Sequence, residues 1–203
     1  MKLMHAAASP YARKAWATAI ELGLGAELEI VPTAVAPGKD NSEYTSKINP
    51  LTKIPAMELE DGSVLYDSTV ICEYLDARAG GGRLIPAGGE ARWRVLTQHA
   101  LAQGMTDAAL LIRYETFLRP EEARWDTWLE SQRQKIKAGL QWFENNPDSL
   151  EGPLNLAQIA LGVLLGYLDF RFGDDPWRPG HPKLEAWYAD ASKRDCFAQT
   201  VPS

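Results

Sequence analysis

The chain has 203 residues, of which 45% are hydrophobic and 24% are charged, and its formal net charge is −6. These fractions are ordinary for globular proteins and exclude a disordered chain. The acidic balance, without any cluster of basic residues, argues against a nucleic-acid partner. No apolar run is long enough to cross a bilayer, and the N-terminus lacks a signal-like apolar stretch. We therefore expect a cytoplasmic protein without a membrane partner.

The first 80 residues alternate between strand patterns and helical patterns, with proline, glycine and Asp-Gly turn signals between them. They predict strands at 2–5, 28–31, 56–60 and 64–66, and helices at 10–22, 42–48 and 68–78. Pro10 suits a first helical turn, Pro32 should stop the second strand, and Asp67 with Ser68 should cap the last helix. This order predicts a small mixed sheet with helices on its faces.

The remaining chain shows only helical periodicity. A long helix carries an apolar stripe, a second begins at Pro120, a third follows Asn155, and a short one follows Pro182. Asn155 with Gln158 three residues later has the pattern of a capping box. The glycine run at 80–82 separates the two patterns, so we predict domains at 1–79 and 84–203, the first α/β and the second all-α.

Three short polar motifs are candidates for chemistry. Ser9 precedes Pro10 at a strand-to-helix junction, where helix N–H groups attract anions. Ile54-Pro55 precedes a strand, and a cis bond there would present the backbone of Ile54 to an extended ligand. Asp67 and Ser68 offer a carboxylate for an ammonium group and a hydroxyl for a carboxylate. Taken singly, each motif is better explained as a helix cap or a loop proline.

Other reactive residues form no pattern. Cys72 lies within an apolar helical stretch and Cys196 lacks a charged activator, so both are interpreted as packing residues. The three histidines are scattered, no metal-ligand spacing occurs, and no Gly-x-Ser-x-Gly elbow for a serine hydrolase is present.

The order of the three motifs resembles the glutathione S-transferase family. The resemblance rests on residues 9–14 (SPYARK), 49–56 (NPLTKIPA) and 65–75 (LYDSTVICEYL), and residues 155–160 (NLAQIA) stand where the family has the capping box of its helical domain. It covers nearly the whole chain and is closest to bacterial members with a Ser-Pro start. It implies a thioredoxin-like N-terminal domain, a helical C-terminal domain and a homodimer.

The resemblance also implies site residues for a glutathione transferase that conjugates glutathione to a small apolar electrophile. Ser9 would face the sulfur, and Ile54, before a cis Pro55, would pair with the cysteinyl backbone. Asp67 and Ser68 would hold the γ-glutamyl end. Weaker candidates are Lys39 and Lys53 for the carboxylates of the tripeptide, and Tyr11, Met105 and Tyr114 for the second substrate.

Two departures and three alternatives accompany this interpretation. Asn155 and Gln158 replace the usual hydroxyl and aspartate of the capping box, and no cysteine near Ser9 could perform disulfide exchange. Tyr11 could face the sulfur instead of Ser9. The alternative functions are a non-catalytic glutathione-binding or protein-interaction module and a glutathione-dependent isomerase or peroxidase, because a fold alone does not decide activity.

Overall fold

The structure is a computed structural model and describes residues 1–203. Its strands are β1 (Lys2–His5), β2 (Glu29–Pro32), β3 (Ala56–Glu58) and β4 (Val64–Leu65). Its helices are α1 (Pro10–Glu21), α2 (Ser42–Lys47), α3 (Ser68–Arg78), α4 (Gly89–Phe117), α5 (Asp126–Asn145), α6 (Leu156–Arg171), α7 (Pro182–Ala191) and α8 (Asp195–Ala198). None of them combines the length and apolarity that a membrane span requires.

The chain divides into two structural units. Unit 1 comprises Met1–Gly89 together with Arg194–Ser203, and unit 2 comprises Glu90–Lys193. The mixed sheet belongs to unit 1, and unit 2 contains only helices, so the predicted fold class is confirmed. The glycine run does end one pattern: α3 stops just before it, and the buried carboxylate of Asp76 accepts hydrogen bonds from the N–H groups of Gly82 and Leu84.

The sheet of unit 1 has the strand order β2-β1-β3-β4. β1 runs parallel to β2 and antiparallel to β3, and β3 runs antiparallel to β4. β2 ends at Pro32 as predicted, but the proline is itself the last residue of the strand and lies opposite His5. β2 is an edge strand, where proline is tolerated, and the next N–H, from Thr33, reaches the carbonyl of His5.

The core of unit 1 lies between the sheet and two helices. α1 presents buried alanines, among them Ala12, Ala15 and Ala19, and packs on α3, whose Ile71 and Leu75 are also fully buried. Small side chains on one helix let the neighbouring helix approach closely. This packing holds the N-termini of both helices in place.

The C-terminal segment differs from the predicted domain boundary, because residues 194–203 belong to unit 1 and not to the helical domain. The buried guanidinium of Arg13 donates to the carbonyl of Phe197 and to the hydroxyl of Thr200. Arg194 forms an ion pair with Glu21. These contacts join residues more than 170 positions apart, so no local pattern could indicate them, and the short helix α8 was not predicted.

Unit 2 is built around α6, where every residue from 156 to 168 is buried. The predicted capping box is present at its start, with Asn155 and Gln158 exchanging hydrogen bonds. The predicted helix start at Pro120 is wrong, because only a short 3-10 turn forms at Glu121–Ala123 and α5 begins at Asp126. The buried carboxylate of Glu115 binds the N–H of Trp125, which holds that residue in an extended conformation outside the helix.

Candidate functional site

Four segments of unit 1 meet at one end of the sheet. The strand register pairs Met4 with Ala56 and Met57 with Leu65, so the end of β1, the beginning of β3 and the end of β4 lie at the same edge. The parallel pair brings the end of β2 to that edge as well. Ser9, the loop that carries Lys39, and Asp67 follow the ends of β1, β2 and β4, and Ile54-Pro55 comes directly before the start of β3. The topology therefore gathers the predicted motifs, which are up to 58 positions apart in the sequence.

Ser9 is the N-cap of α1. Its backbone is extended, and its Oγ accepts a hydrogen bond from the N–H of Ala12 at 3.3 Å. Because the oxygen is the acceptor in this bond, the hydroxyl hydrogen can still be donated to another group. The side chain is partly exposed and stands at the positive end of a helix of 12 residues. Ser9 can therefore donate a hydrogen bond to an anion at this position.

His5 does not provide an acid or a base for chemistry at Ser9. This residue ends β1, is buried, and meets the ring of Trp16 edge-on with a centroid separation of 5.2 Å. Burial lowers the pKa of its imidazole, because desolvation disfavours the charged form. His5 is thus neutral near pH 7 and acts as a packing residue.

The loop before Pro55 is held by hydrogen bonds to one carbonyl. Asn49, only 1% exposed, donates from Nδ2 to the carbonyl oxygen of Lys53 at 2.9 Å, and its Oδ1 accepts from the N–H of Leu51. The hydroxyl of Tyr44 donates to the same carbonyl at 2.8 Å. Burial raises the pKa of Tyr44 to about 12, so this hydroxyl keeps its hydrogen. In the sequence Asn49 is only one residue of a motif, whereas in the structure its buried amide positions the loop.

The Ile54–Pro55 peptide bond is cis, as the resemblance implied. Neither the N–H nor the carbonyl of Ile54 has a hydrogen-bond partner within the chain. Ile54 stands directly beside the ladder of β3 with β1, and the adjacent Pro55 is buried. A free donor and a free acceptor on one residue beside a sheet suit the backbone of an extended ligand.

The start of α3 also carries polar groups that have no hydrogen-bond partner within the chain. Asp67 is exposed, and one carboxylate oxygen accepts from the N–H of Thr69 at 2.9 Å. Ser68, 1% exposed, is the first residue of the helix, and its N–H and that of Val70 have no acceptor within the chain. Tyr66–Asp67 is a second cis bond, for which no sequence signal exists. Free N–H groups and a hydroxyl can bind a carboxylate, while Asp67 can bind an ammonium group.

The remaining candidates lie in different surroundings. Lys39 and Lys53 have exposed side chains in unit 1, and Tyr11 is half-buried in the first turn of α1. In unit 2, Tyr114 is 41% exposed on α4, whereas Met105 is buried in the helical core against Gly139. The role of these five side chains in binding stays a prediction.

Both cysteines are fully buried, which agrees with their interpretation as packing residues. Burial raises the pKa of Cys72, whose Sγ lies 3.3 Å from the hydroxyl of Thr18. Burial and the nearby carboxylate of Glu21 raise the pKa of Cys196 to about 12. A neutral, buried thiol is a poor nucleophile. No cluster of histidine, cysteine and carboxylate side chains could hold a metal ion.

Comparison with known proteins is consistent with this site. The family model described as glutathione S-transferase, N-terminal domain, matches residues 8–78, and the model of the C-terminal domain of the same family matches residues 126–190. A curated relative from Escherichia coli K12, named an uncharacterized GST-like protein YibF, is 32% identical over 209 residues. The alignment covers 100% of this chain and 98% of the relative.

Two solved structures of a glutathione transferase family member from Pseudomonas fluorescens Pf-5 are similar over the whole chain, each with 42% sequence identity. One contains bound glutathione and has a TM-score of 0.95. The match covers 100% of this chain and 98% of that structure. The other contains S-(propanoic acid)-glutathione, has a TM-score of 0.91, and matches over 100% of both chains.

Proposed function

Because the chain belongs to the glutathione S-transferase family, we propose that it binds glutathione at the sheet end of unit 1 and transfers its thiolate to a small electrophile. The observation that carries this proposal is the position of Ser9. Its hydroxyl hydrogen is available at the N-terminus of α1, at the same end of the sheet as the open groups of Ile54, Asp67 and Ser68.

Each open group suits one part of the tripeptide. The free N–H and carbonyl of Ile54 would pair with the cysteinyl backbone. The ammonium of the γ-glutamyl residue would contact Asp67, and its carboxylate would accept from Ser68. Lys39 and Lys53, with exposed side chains, would attract the carboxylates of the tripeptide. In this arrangement the sulfur faces the hydroxyl of Ser9.

The energy available at Ser9 is sufficient for thiol activation. A free thiol has a pKa near 8.5, so only a few per cent is thiolate at neutral pH. A hydrogen bond to a charged sulfur is worth about 1.5–3 kcal/mol, which lowers the thiol pKa by about one to two units. The N-terminus of α1 adds about 0.3–1 kcal/mol. Thiolate then predominates near neutral pH.

The chemical step needs little more than the positioning of two reactants. The thiolate sulfur donates an electron pair to an electrophilic carbon, and a C–S bond forms. The displaced electrons leave with a leaving group or pass to a carbon that takes up a proton. The Pseudomonas relative crystallised with S-(propanoic acid)-glutathione, a thioether of this kind, which supports a small electrophile as co-substrate. Tyr11, Met105 and Tyr114 stay our candidates for contact with it.

The homodimer and the cytoplasmic location are part of the same proposal. Leu51 and Val70, both in unit 1, are large apolar side chains that are exposed to solvent. Apolar groups at such positions support a face that a second copy covers. The mass of the protein in solution, measured by sedimentation, tests this point directly.

The decisive experiment titrates the thiol of bound glutathione by its thiolate absorbance in the ultraviolet. We expect a pKa about one to two units below that of free glutathione in the unaltered protein. The Ser9→Ala variant should return this pKa toward the free value and lower kcat/KM with a model electrophile about 10- to 100-fold.

Ser9→Thr is the matched control, because threonine keeps both the hydroxyl and the capping oxygen. It should retain the lowered pKa. If Ser9→Ala keeps full activity and the lowered pKa, Ser9 is not the activating group, and Tyr11→Phe then tests the alternative hydroxyl. Glutathione binding without any lowering of the thiol pKa would instead support the non-catalytic binding module.

A further inference from the structure

The peptide unit between Lys53 and Ile54 has one hydrogen-bonded side and one open side. Its carbonyl, from Lys53, accepts from the hydroxyl of Tyr44 at 2.8 Å and from Nδ2 of Asn49 at 2.9 Å. Its N–H, from Ile54, has no partner within the chain. The unit is trans, because neither of the two cis bonds of the chain lies here. In a planar trans peptide the C=O and N–H point in opposite directions, so donors that fix the carbonyl also fix the direction of the N–H.

Tyr44 makes this contact from a separate element, the short helix α2. No residue of α2 is buried in the core of unit 1. A second hydroxyl contact follows at the next position, where Oγ1 of Thr45 lies 2.7 Å from Oγ1 of Thr52. Thr52 has a φ of 53°, a left-handed conformation that β-branched residues rarely adopt. The helix therefore supports the loop at the two residues that precede Ile54.

The phenol of Tyr44 suits this position chemically. Its pKa is raised to about 12 by burial, so the hydroxyl remains a donor throughout the pH range in which a thiol ionises. Hydrogen bonds in a chain polarise one another, and a bond to the carbonyl of an amide strengthens the N–H of that amide as a donor. The hydroxyl of Tyr44 thus both aims the N–H of Ile54 and strengthens it.

We propose that Tyr44 is a positioning residue that sets the affinity for glutathione through the Lys53–Ile54 peptide unit. The inference rests on the proposed function, in which Ile54 pairs with the cysteinyl backbone. The N–H of Ile54 donates to the cysteinyl carbonyl of the ligand, and Tyr44 holds that N–H in the required direction. Because the sulfur faces Ser9, Tyr44 affects the binding of the tripeptide and not the activation of its thiol.

The variant Tyr44→Phe removes the hydroxyl and keeps the aromatic ring. The Kd for glutathione, measured by calorimetry, should rise about threefold to tenfold, which corresponds to the loss of one hydrogen bond. The KM for glutathione should rise by the same factor. The value of kcat at saturating glutathione and the pKa of the bound thiol should stay unchanged, because only binding of the ligand is weakened.

The matched control is Tyr74→Phe, which removes the same atom from another partly exposed tyrosine of unit 1. The hydroxyl of Tyr74 lies near Arg78 on α3 and makes no contact with the loop before Pro55. This control should leave the Kd and the KM for glutathione unchanged. An equal rise in both variants would overturn the proposal.

An analogue of glutathione tests whether Tyr44 acts through Ile54. A trans carbon–carbon double bond replaces the amide between cysteine and glycine, which keeps the extended shape and removes the cysteinyl carbonyl. Tyr44→Phe should weaken the binding of this analogue by less than about twofold, because the acceptor for the N–H of Ile54 is already absent. Equal weakening for glutathione and the analogue would overturn the proposal.

The two proposals fail in different ways. Failure of the unaltered protein to bind glutathione would overturn the proposed function together with this inference. An unaltered affinity of Tyr44→Phe for glutathione, or a fall in kcat with an unchanged KM, would overturn the role of Tyr44 alone.

Discussion

In three helices of this protein the N-cap residue itself accepts a hydrogen bond from the first turn through its side chain, and these caps differ in how many polar groups they leave open. At α6 of unit 2, Asn155 and Gln158 exchange two hydrogen bonds at 3.1 and 3.2 Å. The amide of Gln158 also donates to the carbonyls of Ser149 and Glu151. This cap is closed, because the side chain of Gln158 is buried and both of its polar atoms are used.

The caps of α1 and α3 in unit 1 are open. The oxygen of Ser9 and one oxygen of Asp67 each accept a single hydrogen bond, and both side chains retain exposed surface. The same local chemistry therefore stabilises a core where every group is paired, and it leaves polar groups available to the proposed glutathione site where the cap is open. Substitutions at the two kinds of cap separate these roles.

The largest effect is expected at the closed cap. Gln158→Leu leaves the N–H of Asn155 and the carbonyls of Ser149 and Glu151 without their partner. The bond to Ser149 is buried and the other two are partly buried, and an unsatisfied buried group costs about 1–3 kcal/mol, so the free energy of unfolding should fall by about 2–3 kcal/mol in urea titrations.

The control for this change is Asn155→Asp, which keeps a capping oxygen and should cost less than about 1 kcal/mol. Calorimetry should show that the folded Gln158→Leu protein binds glutathione with affinity within about twofold of the unaltered protein, because all the proposed binding groups lie in unit 1. A large loss of affinity would show that the two kinds of cap are coupled.

The second prediction compares the thiols of the chain with the thiol of the ligand. Burial keeps Cys72 and Cys196 protonated in the folded state, with the pKa of Cys196 near 12, whereas unfolded thiols ionise near ~8.5. The folded state thus binds more protons above this pH, and stability falls as pH rises. Between about pH 8.5 and 9.5 the free energy of unfolding should decrease by about 2 kcal/mol.

Urea unfolding at a series of pH values measures this slope. The double variant Cys72→Ala/Cys196→Ala is less stable throughout, but its stability should change little over the same interval. If its slope equals that of the unaltered protein, groups other than these thiols cause the pH dependence.

The smallest effect is expected at an open cap. Asp67→Asn keeps an oxygen for the N–H of Thr69, and Asn and Asp are equivalent caps, so stability should change by less than about 0.5 kcal/mol. The charge toward the ligand ammonium is lost, and the Kd for glutathione should rise about fivefold to tenfold in calorimetry. A loss of stability without a loss of affinity would assign Asp67 to structure alone.

Sequence patterns were most reliable where the cause of a structure is local. Pro10 begins α1 as predicted, and Asp67 caps α3 at the predicted residue. Patterns failed where a distant group decides the outcome. The start of α5 is shifted by the carboxylate of Glu115, ten residues before Trp125. Pro32 remains in a strand because β2 lies at an edge of the sheet.

The candidate site shows the same division. Its motifs were visible in the sequence, because cap residues and the Ile54-Pro55 pair act through their own backbone. The support that Asn49 gives to the loop was not visible in the sequence, because the residue type alone does not reveal that this amide is buried or which groups it binds.

The sequence by itself determined the elements of this protein, the order of its motifs and the family to which it belongs. These features depend on residue types at short spacing. Only the tertiary structure decided which caps are open and which are closed, because this depends on the groups that packing brings near each helix end. The strand register places Ser9, Ile54 and Asp67 at one end of the sheet, where some of their donors and acceptors have no partner within the chain. In the core around α6, by contrast, both polar atoms of the Gln158 side chain have hydrogen-bond partners.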